Sequence, residues 1–177
     1  MSFLDDLTAE ADRILHRQFR TNVAELATVM MKATSLPKLL AARKEAEFWS
    51  RSVSFAFTDD LSPEEAKTVA RESRNEGPAD ALRHCFLAAM LARDLGYTDA
   101  LEVLVAHEMN PEWGSPASQM DLLNNAVGLE IGVRMKGASN LDLQMAAVDA
   151  LLQGRLVVVD KKNGNRLVPA RSLTFGR

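Results

Sequence analysis

Ala79-Asp80-Ala81-Leu82-Arg83-His84-Cys85-Phe86-Leu87-Ala88-Ala89-Met90-Leu91-Ala92-Arg93-Asp94-Leu95 decides the fold. Its apolar residues fall on nearly every face of a 3.6-residue turn, and a helix of that kind must be covered on all sides. The stretch therefore predicts a buried central helix over about residues 79–95, with other helices packed around it. Asn75-Glu76-Gly77-Pro78 breaks the chain before it and Gly96 ends it. Apolar and buried throughout, it nevertheless carries Asp80, Arg83 and His84.

Working outward, most of the chain also reads as helix. Ile14, Leu15, Phe19, Val23, Leu26, Val29 and Met30 recur at three and four, predicting a helix over about residues 3–33. Ser35-Leu36-Pro37 closes it and opens a second, to about Phe57. Ser62-Pro63-Glu64-Glu65 joins a cap, a first-turn proline and a glutamate three residues after the cap, which starts a third. Thr98 is expected to cap a helix running to about Met109. Ser115-Pro116 opens one running to about Lys136, and Ser139 or Asn140 caps the last, to Gln153. From Arg155 the pattern changes. Leu156-Val157-Val158-Val159-Asp160, Asn163-Gly164 and Arg166-Leu167-Val168-Pro169 predict a β-hairpin with a glycine turn. The expected class is all-α: a compact bundle of about seven helices with a short C-terminal hairpin. Residues 1–74 are expected to form an amino-terminal helical segment packing on or docking to the core. Residues 75–177 are expected to form the motif-bearing domain.

Composition narrows the function. The chain has 177 residues, 47% hydrophobic and 25% charged, as a folded globular domain requires. Its single cysteine, Cys85, excludes an internal disulfide framework and a multi-cysteine metal site, and on so apolar a helix it reads as a small core residue. The 21 basic and 24 acidic residues leave a net charge of -3, which argues against a whole-domain nucleic-acid binder. That average hides two unlike parts. Residues 1–153 carry 15 basic and 23 acidic groups, net -8, and residues 154–177 carry six basic and one acidic, net +5. The basic stretch suits either a polyanion partner or a solvated tail. The amino terminus lacks a signal-peptide pattern, and the longest apolar run, Cys85 to Ala92, is too short to span a membrane. Synthesis in the cytoplasm is expected, with any export left to a dedicated secretion system.

The candidate site lies among the polar residues of the later helices. Asp80 and His84, four apart, share one helix face with Arg83 beside them. His107-Glu108 ends the next predicted helix. Asp121, Asn124, Asn125 and Gly128 form a stripe on the one after. If consecutive helices run antiparallel, His84 and His107 both stand roughly 17 Å from the Gly96 turn at about 1.5 Å rise per residue. Counting about Trp113 brings Asp121 to the same height. His84, His107, Glu108 and Asp121 are thus the catalytic candidates, and Asp80, Arg83, Asn124 and Asn125 the substrate-binding ones. His84, His107 and Asp121 could hold a divalent metal ion with a position left for water. Without metal, the same residues could supply a histidine base oriented by a carboxylate, or Glu108 as a proton donor whose pKa burial raises. Arg83 could stabilise an anion. His16 reads as surface, and Trp49 and Trp113 as packing, with Trp113 near enough to line a pocket.

Three stretches, Gly77-Pro78-Ala79-Asp80-Ala81-Leu82-Arg83-His84, Ala106-His107-Glu108 and Met120-Asp121-Leu122-Leu123-Asn124-Asn125-Ala126-Val127-Gly128, resemble an uncharacterised bacterial domain family. That family recurs at the ends of secreted polymorphic toxins and in interbacterial effectors. The resemblance covers about residues 75–170. It implies functional weight at Asp80, Arg83, His84, His107, Glu108, Asp121, Asn124 and Asn125, and disfavours thiol chemistry at Cys85. Leu82 and Leu129 depart from its pattern, which commonly has an aromatic and an arginine there. The expectation is a secreted antibacterial effector with hydrolase activity, phosphodiesters being favoured over cell-wall glycan or lipid. A non-enzymatic helical binding module is the remaining alternative. A toxin of this kind implies a cognate immunity protein, and a secretion chaperone or delivery component as a further partner.

Overall fold

The computed structural model describes residues 36–108 and 114–174, without the side chains of residues 107, 108, 173 and 174. The helix expected over 3–33, His16 and Trp113 lie outside the described residues. Six long helices follow in order: α1 (Leu36–Val53), α2 (Pro63–Ser73), α3 (Pro78–Leu95), α4 (Tyr97–Glu108), α5 (Pro116–Arg134) and α6 (Asn140–Leu152). After them come β1 (Val157–Asp160), β2 (Arg166–Pro169) and a short helix, Arg171–Thr174. The architecture is helical with one small antiparallel hairpin, as the sequence predicts.

Local chemistry sets the boundaries. At α2 the Glu65 carboxylate accepts from both the N–H and the hydroxyl of Ser62, at 3.1 and 2.5 Å. At α5 the Ser115 hydroxyl accepts the Ser118 N–H, and at α6 Ser139 accepts that of Asp142. Two boundaries differ from the expectation. The second predicted helix stops being α-helical at Val53 and continues as a 3-10 turn, Ser54–Phe57, where the Ser54 hydroxyl donates to the Arg51 carbonyl. Thr98 does not cap α4. The helix begins two residues earlier, at Tyr97, because Gly96, at φ +86°, donates to the Ala92 carbonyl and accepts from the Ala100 N–H. One glycine thus ends α3 and begins α4.

Helix α3 is the axis of the molecule. Ala81, Cys85, Phe86, Ala88, Ala89, Leu91 and Ala92 have no exposed surface. Helix α1 covers one side with Leu39, Ala42 and Ala46, and the Trp49 ring meets Phe86 edge-on at 5.0 Å. The Ser50 hydroxyl bonds the Ala79 carbonyl, so residues on both sides of position 74 share one core. Helix α5 covers another side at very close range. A Cβ on Gly128 would stand 2.1 Å from the Cys85 carbonyl oxygen, and one on Gly132 2.2 Å from that of Ala89. Both steps advance four residues in the same direction, so α3 and α5 run parallel, as an antiparallel α4 between them requires.

The hairpin pairs Val157 with Pro169 through Asp160 with Arg166. Gly164, at φ +81°, takes the left-handed position in its turn. Several ties fix it to the bundle. The Asn124 amide both accepts from and donates to the backbone of Val157, at 2.9 Å each way. The Val159 N–H donates to the Glu76 carbonyl, and Lys161 forms an ion pair with Glu76.

Candidate functional site

Parallel packing of α3 on α5 assembles the polar group. Asp121 lies about two turns before Gly128 on the same face of α5, and this places it beside the first turns of α3. Helical side chains lean toward the amino terminus, which carries the His84 ring down toward Asp80 and Asp121. His84 Nε2 stands 3.2 Å from Asp121 Oδ1 and 3.7 Å from Asp80 Oδ1. One ligand-type atom from each of the three residues falls within 4.8 Å of the others. Asp80 and His84 are buried and Asp121 is half-buried, so the group opens to solvent on the Asp121 side.

Asp80 is held from two directions. Its Oδ2 accepts the Glu76 N–H at 2.8 Å, and its Oδ1 accepts Nε and Nη2 of Arg83, the former at 2.9 Å. Glu76 sits at φ +62°, a backbone conformation unfavourable for a side chain of that kind. It is pinned there by β1 on its carbonyl and Asp80 on its N–H. The hairpin thus helps position the site.

Arg83 Nη2 also lies 3.0 Å from His84 Nε2. A guanidinium only donates, so it needs the lone pair of Nε2, whereas the Asp121 carboxylate needs a proton on the same nitrogen. The two neighbours compete for one atom. Burial opposes the charge on Arg83, but the carboxylates of Asp80, Asp121 and Glu47 outweigh it and raise the guanidinium above its ordinary pKa. Glu47, on α1, had no signal in the sequence. It belongs to a helix with no motif, and only packing brings its charge near Arg83.

The other candidates separate. Asn124, grouped by its spacing with the substrate-binding residues, faces β1 and clamps it. Asn125 is 3% exposed, one turn from Asp121 on the face of α5 that carries Gly128, and among the described residues neither of its amide atoms has a hydrogen-bond partner. The Ser118 hydroxyl, one turn before Asp121, is buried in the same condition. His107 and Glu108 are the last two residues of α4, and their side chains lie outside the described residues. Cys85 is fully buried, and burial pushes its thiol up to about 12, far from a reactive thiolate. In the basic stretch, Arg155 forms an ion pair with Glu130, Lys161 with Glu76 and Arg166 with Asp160.

A cavity of about 660 Å³ lies on the other side of the Glu76 loop, lined by Phe57, Val69, Glu76, Pro78, Val159 and Lys162 among others. Asp80, Arg83, His84 and Asp121 do not line it; Glu76 is the link between the two regions.

Residues 52–155 match the profile of a family described as a domain of unknown function (DUF6973), and the chain belongs to that family. The matched segment begins in the last turn of α1 and takes in α2 through α6, and thus every residue of the Asp80–His84–Asp121 group. No curated protein and no solved structure matches the chain.

Proposed function

We propose that this chain is a hydrolase of phosphodiesters that acts as a secreted antibacterial effector. The observation that carries the reaction class is the convergence of Asp80, His84 and Asp121 within 4.8 Å, with the Arg83 guanidinium in their midst. Carboxylates and an imidazole at that spacing suit the activation of water, and a guanidinium suits the charge of a phosphate. His107 and Glu108, at the end of α4, complete the reading as further catalytic residues, with Glu108 as proton donor to the leaving oxygen. The effector context rests on the three-motif resemblance, and with it come a cognate immunity protein and a delivery partner. No helix of the described residues is long and apolar enough to cross a membrane.

Expression in a bacterial host tests the proposal. The wild-type chain should arrest growth from the cytoplasm and degrade nucleic acid in the lysate, while His84→Ala at equal abundance should do neither. Equal toxicity of the variant would remove the assigned site. Killing only after export to the periplasm, with nucleic acid intact, would replace phosphodiesters by cell-wall glycan or lipid.

A further inference from the structure

We infer that Asp80 Oδ1, His84 Nε2 and Asp121 Oδ1 form a divalent-cation site, and that Arg83 fills it until the cation displaces the guanidinium toward the substrate. The inference rests on reading this group as the place where water is activated, and it names how. Ligands bonded to one small divalent ion at about 2.1 Å stand about 3–4 Å apart. The 3.2 and 3.7 Å separations about Nε2 fit that interval. The donor set, one imidazole and two carboxylates from two helices, leaves positions for water.

The placement of Arg83 points the same way. Its Nη2 touches Asp80 Oδ1 and His84 Nε2, two of the three atoms a cation would bind, and addresses the lone pair a cation would use. The group already holds a positive charge there, since two carboxylates side by side need one. A divalent ion supplies that charge more compactly. The Arg83 side chain is about one-third exposed, so the solvent side of the site adjoins the guanidinium that Asp80 holds. Released from Asp80, it carries its charge to the mouth of the site, where an anionic phosphodiester arrives.

Asn125 is the independent observation. It is buried one turn after Asp121 and four residues from it, and a helical side chain leans toward the preceding turn, here the turn that carries Asp121. Among the described residues neither amide atom has a hydrogen-bond partner. A buried amide with four unused hydrogen-bonding capacities is rare unless it serves a bound species. A water held by the cation gives it one.

The experiment is calorimetric titration of the full chain with Mn2+ alone, with circular dichroism confirming that each variant is folded. Wild type should bind one ion. Asp121→Asn should bind at least tenfold more weakly, and Arg83→Gln several-fold more tightly, because the competitor is gone. The same Arg83→Gln protein, loaded with Mn2+, should cleave bis(p-nitrophenyl) phosphate at least tenfold less efficiently than loaded wild type. Absence of binding at millimolar Mn2+ in both wild type and Arg83→Gln overturns the inference, as does equal affinity in Asp121→Asn and wild type. Hydrolysis undiminished by excess chelator also overturns it but leaves the hydrolase reading standing. Binding without hydrolysis supports the cation site and removes that reading instead.

Discussion

Gly128 of α5 lies against the backbone carbonyl of Cys85 on α3, so closely that a single added methyl would stand 2.1 Å from its oxygen. The partner atom is backbone and cannot turn aside. Gly128→Ala must therefore push the two helices apart, at an expected cost of about 1–3 kcal/mol, the usual range for overpacking a close-packed interior. The same separation lengthens the 3.2 Å approach of His84 to Asp121. Urea unfolding should show the loss of stability, and activity should fall in the variant that still folds. Wild-type stability in Gly128→Ala would contradict this packing.

Asn124 is expected to act in stability more than in chemistry. Asn124→Ala strips two hydrogen bonds from Val157 and leaves its N–H and carbonyl without those partners. At about 1–3 kcal/mol for each of the two stranded, part-buried groups, the loss is expected at about 2–6 kcal/mol. Amide exchange at Val157 should quicken along with the drop in the unfolding midpoint.

Asp80 and Arg83 should behave as a coupled pair. Asp80→Asn leaves a half-buried guanidinium without its main partner, and Arg83→Gln leaves Asp80 with the Glu76 N–H and the more distant His84 ring. Each single variant should be less stable than wild type, and the double variant should lose less than the sum, by about 1 kcal/mol. A double-mutant cycle by chemical denaturation measures the difference; strict additivity would mean the two do not interact.

Alkaline pH should expose the burial of Cys85. Burial pushes its thiol up to about 12 in the folded chain, against an ordinary value of 9.0. Below pH 9 both states keep the proton and the group adds no pH dependence. Above it the unfolded chain ionises first, so this contribution to stability is lost as pH rises, by about 1.4 kcal/mol per unit up to the folded value. Comparing wild type with Cys85→Ala at pH 8 and pH 10 isolates the effect, because other groups titrate alike in both. Parallel profiles would show that the thiol is not buried. A thiol reagent at neutral pH should react only after denaturation.

Much of the fold was legible because its signals are local. The proline starts, the serine caps and the all-apolar run from Ala79 each need only a few neighbouring residues to act. Thr98 misled for the opposite reason: Gly96 both terminates one helix and starts the next, and its left-handed backbone leaves no residue between them for a separate cap. In the site, spacing placed His84 level with Asp121 and grouped Asn124 with Asn125. It could not tell that these adjacent asparagines part company, Asn124 bonding β1 and Asn125 buried without doing so, since neighbouring helical positions diverge by about 100°.

The sequence by itself determined the helical class, the central helix, the terminal hairpin and the residues that break the apolar pattern, since periodicity, caps and turn chemistry act over a few positions. Only the tertiary structure decided how closely Asp121 approaches His84 and Asp80, that Arg83 Nη2 meets His84 Nε2, and that Glu47 and the Glu76 backbone act on the group. Those relationships depend on how closely two helices approach and on where a hairpin docks. Both are set by the absence of side chains at Gly128 and Gly132 and by a clamp spanning 33 residues, from Asn124 to Val157. Contacts so far apart in the chain leave no periodic trace in the sequence that makes them.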